Sequence, residues 1–299
     1  MRILTAMLFI FTPLSAQNYF SMRAAFLERK GDVESMRLVL AEESALTTTY
    51  DFQLRSTSGD SLSGRLRLPK GKGPFPAALL CVGIETGKDV VEMIEGQDSV
   101  ALVAVDYPFE GEFDFQGWKA VGTTFRLRSM ARRTVPLLLT CLDWIFQQPH
   151  IDTRDVTVVS VSFGIFTGLP VAVIDQRVKQ AVVVQAGGDL STVIASNAER
   201  LGVPIPATLA GWLGGAILAP FEPNKYVPYL SPRKLLMVNG EGDTLFPKES
   251  ALALYEEARE PKELVWHRSR HVMPGERELI RELTNVVVER LYGKSSAGK

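Results

Sequence analysis

The chain has 299 residues, with 33 basic against 34 acidic side chains and a net charge of −1. That balance supplies no broad basic field for nucleic acid or an anionic membrane, and a content of 46% apolar and 22% charged residues is globular, not disordered or fibrous. Two cysteines exclude a disulfide scaffold and a cysteine-rich zinc site. The only three histidines, His150, His267 and His271, leave few candidates for chemistry that needs an imidazole base.

Residues 1–16 read MRILTAMLFIFTPLSA. Arg2 gives a short positive start, Ile3 to Leu14 an apolar core, and Ser15-Ala16 a small-residue end. This is the pattern of a secretory signal cut after Ala16, too short for a comfortable membrane span. An uncleaved anchor or a buried N-terminal helix are the competing readings. The expectation is export, to the periplasm or the medium, with no stable membrane span after cleavage and residues 17–299 as one domain. Cys81 in an apolar run and Cys141 on a helical apolar face are expected to be buried free thiols, with a disulfide, which export permits, as the alternative.

Residues 18–45 are expected to be helical, with a break at Lys30-Gly31-Asp32. Thr47–Leu54 and Leu62–Leu68 alternate across the turn Ser58-Gly59-Asp60, which predicts an antiparallel hairpin. Continuous apolar runs follow at Ala77–Val82, Val100–Val105, Val156–Val161, Ala181–Val184 and Leu235–Val238. Such runs belong to strands buried on both faces, as in a parallel sheet. Helical stripes separate them: Arg126–Phe146 with a kink expected at Pro136, Glu249–Ala258, and Glu276–Leu291 stopped by Gly293. The class is therefore α/β, a mostly parallel doubly wound sheet with an N-terminal antiparallel hairpin. Residues 188–231 are too long for a plain crossover and too broken by Pro and Gly for one helix, so they predict a small helical insertion over the sheet's edge.

The chemistry sits where the run Val156–Val161 meets Ser162-Phe163-Gly164. A strand that turns sharply into a helix exposes its turn serine as a nucleophile, and the turn demands small neighbours. Gly164 meets that demand; Ser160 stands where a glycine is usual. A serine hydroxyl needs a base to take its proton. Asp243 follows the run Leu235–Val238 in the turn Asn239-Gly-Glu-Gly-Asp243, and His271 lies 28 residues further on. The order Ser, Asp, His then predicts Ser162 as nucleophile, His271 as base and acid, and Asp243 as its support. His267 ends a strand-like run and His150 precedes the serine strand, so both are second to His271; Glu241 is the second carboxylate. The backbone amides of Phe163 and of Ile84, in the loop after Ala77–Val82, are expected to hold the oxyanion. Glu85, Phe109 and Trp212 are expected against substrate. The alternatives are an exposed Glu85, loop packing for Phe109 with Phe113, Phe115 and Trp118, and hydrophobic packing for Trp212.

These residues resemble the α/β-hydrolase superfamily. Ser61-Leu-Ser-Gly-Arg-Leu-Arg-Leu-Pro69 before the oxyanion loop, Pro149-His-Ile-Asp-Thr-Arg-Asp-Val-Thr-Val-Val-Ser-Val-Ser-Phe-Gly164, and Asn239-Gly-Glu-Gly-Asp-Thr-Leu-Phe-Pro247 are similar to its dienelactone-hydrolase and acyl-esterase branch. The likeness spans roughly residues 45–292. It implies an eight-stranded mixed sheet and metal-free hydrolysis without a cofactor; Ser162 in place of that branch's cysteine favours a serine esterase.

The expected function is a serine hydrolase that cleaves a carboxylic ester of a small molecule through an acyl-enzyme. The alternatives are a peptidase or thioesterase of the same fold, or a non-catalytic binding protein in which Ser162, Asp243 and His271 stand apart. No G-x-G-x-x-G follows the first strand, and no Walker A loop, H-E-x-x-H or C-x-x-C is present. Oligomeric state has no signal in the sequence.

Overall fold

The computed structural model describes residues 18–293, so the signal reading of residues 1–16 lies outside the described residues. A helix α1 (Tyr19–Arg29) is capped by Asn18, whose side chain accepts from the Ser21 amide at 3.0 Å. The chain then departs from expectation. Residues predicted to continue as helix form strand β1 (Val33–Glu43), paired antiparallel with β2 (Thr47–Ser56) from Val33 opposite Ser56 to Glu43 opposite Thr48. None of β1's residues is fully buried, so neither face imposed the alternation that marks a strand. The hairpin partner of β2 is β3 (Ser61–Pro69), as the alternation required.

Next come β4 (Phe75–Cys81), a single-turn α2 (Val90–Met93), β5 (Ala101–Val105) and the long α3 (Lys119–Phe146). Helix α3 begins seven residues before the predicted start and continues through Pro136 as one element. After it stand β6 (Ile151–Val161), α4 (Ile165–Ile174), β7 (Gln180–Val184), α5 (Leu190–Ala198) and α6 (Ala207–Leu218). The chain closes with β8 (Lys234–Gly240), α7 (Lys248–Glu257), β9 (Lys262–His267) and α8 (Arg277–Tyr292), ended by Gly293 at φ 80°. Among the described residues the strands form one nine-stranded sheet in the order β1-β2-β3-β5-β4-β6-β7-β8-β9. From β5 to β9 all pairs are parallel; β1, β2 and β3 add antiparallel ladders at one edge. The ninth strand, one more than the resemblance implied, is the unexpected β1.

Alternate residues of the central strands face two cores. Leu79 and Cys81 of β4, Val158 of β6 and Val183 of β7 pack with α3 and α4, while α1 adds Tyr19, Met22 and Phe26. Their neighbours Leu80, Val159, Val182 and Val184 face the other side, toward α2 and the α8 stripe Leu279, Leu283 and Val287. The insertion after β7 forms α5 and α6, which pack on each other, on α3 and on α7. It leaves and rejoins the sheet at β7 and β8, two interior strands.

Candidate active site

Strand β6 delivers Ser162 to the parallel strands' C-terminal end. Val161 is still extended (φ −115°, ψ 126°), Ser162 takes φ 52°, and the chain enters a 3-10 turn that leads into α4. A left-handed serine costs on the order of 1 kcal/mol and persists where packing over-determines it. Gly164 supplies that packing: a Cβ there would lie 1.8 Å from the carbonyl oxygen of Cys81. Ser160, in the usual glycine position, is accommodated by a second gap, since a Cβ on Gly168 would lie 2.3 Å from the Ser160 Oγ. The missing glycine has therefore moved one layer down, into α4.

The Ser162 Oγ lies 2.8 Å from His271 Nε2. His271 Nδ1 lies 2.7 Å from Asp243 Oδ2. The other Asp243 oxygen accepts from the amides of Leu245 at 2.8 Å and Phe246 at 3.0 Å, which fixes the carboxylate. Asp243 and His271 are buried, Ser162 is half-buried, and the Phe246 ring lies parallel to the imidazole, with centroids 6.1 Å apart. The spacing of 81 and 28 residues thus closes into one hydrogen-bonded row. His267 stays at the end of β9, 3.7 Å from Glu282, and exposed His150 gives its carbonyl to the Phe75 amide. Glu241 is an exposed turn residue.

One positioning residue escaped the sequence reading. Gln185, fully buried one residue past β7 at φ 47°, holds the histidine loop through both ends of its amide. Its Nε2 donates to the Ser269 Oγ at 3.1 Å and the Arg270 carbonyl at 2.9 Å, and its Oε1 accepts from the Val272 amide. Its signal was a lone amide side chain ending the run Ala181–Val184, just before Gly187-Gly188.

A cavity of about 520 Å³ opens at Ser162 and His271 and is also lined by Ile84, Glu85 and Phe163. The loop carrying Ile84 is braced by Asp106, whose Oδ1 accepts from the Lys88 amide at 2.9 Å; a Cβ on Gly87 (φ 47°) would strike that oxygen at 2.4 Å. Glu85 lines the cavity yet is exposed. The aromatic loop divides. Phe113 and Phe115 line the cavity, whereas Phe109 stands behind them, edge-on to Phe113 at 5.5 Å. Trp212 is 58% exposed and is not among the lining residues; the insertion lines the cavity instead through Val193, Ile194, Asn197 and Leu218. Phe109 and Trp212 thus stand outside the cavity lining, while neighbours in the same loop and insertion face it.

Both cysteines are free and buried, and desolvation pushes each thiol up to about 12. Among the described residues no group of His, Cys, Asp and Glu could hold a metal ion, and no helix is long and apolar enough to cross a membrane.

A family model described as "Serine hydrolase (FSH1)" matches residues 186–283, a stretch that contains Asp243 and His271 but not Ser162. No curated protein sequence matches the chain. Among solved structures, it is similar to acetyl xylan esterase 1 from Thermoanaerobacterium sp., with a TM-score of 0.65 at 17% identity, over 89% of this chain and 93% of that one. It is similar to the acetyl xylan esterase from Paenibacillus sp. R4, with a TM-score of 0.64 at 17% identity, over 90% and 92% of the two chains. A cold-adapted esterase from an Arctic intertidal metagenomic library gives 0.59 at 17% identity, over 83% of this chain and 96% of that one. The chain has the α/β-hydrolase fold, and its residues 186–283 are similar to a serine hydrolase family.

Proposed function

We propose that the protein hydrolyses a carboxylic ester of a small molecule through an acyl-enzyme on Ser162. The observation that carries this reading is the row Ser162 Oγ, His271 Nε2, His271 Nδ1, Asp243 Oδ2, with contacts of 2.8 and 2.7 Å. A binding protein without turnover has no need of those distances.

The steps follow from the geometry. His271 takes the Ser162 hydroxyl proton as Oγ bonds to the ester carbonyl carbon. The carbonyl oxygen becomes an oxyanion and accepts hydrogen bonds from the amides of Phe163 and Ile84. Collapse breaks the carbon–oxygen bond to the alcohol, which leaves with the proton from His271. Water then adds with the same base, and the acid departs. Asp243 holds the imidazole in the tautomer that presents a bare Nε2 to the serine and stabilises its charged form. The esterase neighbours support an ester over a peptide or thioester. Export is part of the same proposal and rests on the apolar segment of residues 1–16.

The test is Ser162→Ala in the full chain. Turnover of p-nitrophenyl butyrate and covalent labelling by a fluorophosphonate should both disappear, with the thermal melt retained. Labelling that persists on another serine overturns the assignment. A panel of esters, anilides and thioesters then separates the reaction classes.

A further inference from the structure

The central strand β6 is not fully covered on one face. Val159 and Val161 are only half-buried, although β4 and β7 flank their strand on both sides. The crossover between β4 and β5, where an α-helix is usual, gives only a 3-10 turn at Gly87–Asp89 and the single-turn helix α2. Helix α8 covers the β7 and β8 side through Leu283 and Val287 and meets α2, where Arg277 donates to the Glu92 carbonyl at 3.3 Å, so a trough is left between the sheet and the two helices. The cavity that begins at Ser162 continues into this gap. Leu80, Val159 and Ile280 line it, then Ala78, and at the far end Val288 and Tyr292.

We propose that this trough holds the long acyl chain of the substrate, so that the enzyme is an esterase for medium- to long-chain acyl groups. The inference rests on the ester-hydrolase reading above. Its lining is apolar along the sheet, whereas the reacting groups Ser162 and His271 stand at one end only. From Val161 down to Thr157 a strand advances about 13 Å, the length of an extended chain of roughly ten carbons. The acyl half is the part assigned here, because it stays bonded to the serine while the alcohol must leave, and a groove closed beneath α8 suits the half that remains. A chain laid there also covers the half-buried valines, which water otherwise reaches.

The experiment is a chain-length series on the full chain. With p-nitrophenyl esters from acetate to hexadecanoate, kcat/KM should climb by up to about fourfold per added methylene as far as a decanoyl chain and then level off. Acetate esters of long alcohols should show no such climb. Val288→Trp, placed at the far end of the trough, should lower the ratio of decanoate to butyrate turnover at least tenfold. Thr284→Phe serves if that variant does not melt cooperatively. On the unmodified protein, n-alkyl boronic acids should inhibit more tightly as the chain lengthens from butyl to decyl. A flat acyl series, a climb with the alcohol instead, or an unchanged ratio in both variants overturns the proposal. Occupation by a second copy, seen as a dimer that Val288→Trp dissociates, overturns it as well. Retained turnover in Ser162→Ala would strike the ester-hydrolase reading itself, so the two failures are distinct.

Discussion

Gln185 brackets His271. Its side chain donates to the carbonyl of Arg270 and accepts from the amide of Val272, the two residues on either side of the imidazole. The His271 loop is therefore pinned to the end of β7, next to the strand that carries Ser162. Replacing Gln185 by Ala should lower kcat by about 10- to 100-fold while KM moves less than threefold, as expected when a transition-state contact loses alignment. It should also cost about 1–3 kcal/mol in stability from the two stranded backbone groups. Steady-state kinetics beside a denaturant melt separate the two effects; an equal change in KM would mark a binding role instead.

Asp243→Asn should keep the fold and lose turnover. The Asp243 Oδ1 contacts to the Leu245 and Phe246 amides can be kept by an asparagine oxygen, but its NH2 group facing Nδ1 favours the wrong imidazole tautomer. A fall of about 10⁴-fold in kcat is expected, with a melt within a few degrees of the parent. Glu241→Gln, in the exposed turn, should leave kcat within twofold.

Ser160 and Gly168 should be energetically coupled. Gly168→Ala drives its methyl into the Ser160 Oγ at 2.3 Å and the Cys81 Cβ at 2.9 Å, and should cost about 1–3 kcal/mol. Ser160→Gly in the same chain removes the first clash and should recover about 1 kcal/mol. A double-mutant cycle by urea denaturation reads this directly; simple additivity would mean that the elbow adapts by moving the backbone.

The thiols give a pH signature. Burial raises Cys81 and Cys141 to about 12, above the ordinary thiol value of 9.0 that the unfolded chain regains. Their contribution to stability is therefore complete below pH 9 and is lost as pH rises from 9 toward 12. The native protein should not react with a disulfide reagent at pH 8, whereas two thiols should titrate in guanidinium. Urea midpoints should fall above pH 9, and less steeply in Cys141→Ala.

Much of the site was legible because it obeys local constraints. A buried strand that ends at a serine followed by Gly164 can be read from composition, and the chain order Ser162, Asp243, His271 from position alone. The parallel strands were legible for a similar reason: burial on both faces leaves an unbroken apolar run. Strand β1 was not, because with no fully buried residue it carries no period, and only pairing with β2 makes it a strand.

The sequence by itself determined the class, the strand-to-helix turn at Ser162, and the chain order of Ser162, Asp243 and His271. Only the tertiary structure decided what depends on distance between remote segments. It brought Gln185 to the histidine loop 84 to 87 residues away and turned Phe113 toward the cavity with Phe109 behind it. It also left Trp212 outside the cavity and left a trough between the sheet and helices α2 and α8. Hydrophobic pattern specifies that a side chain is buried, but the partner it is buried against is set by packing across the whole sheet.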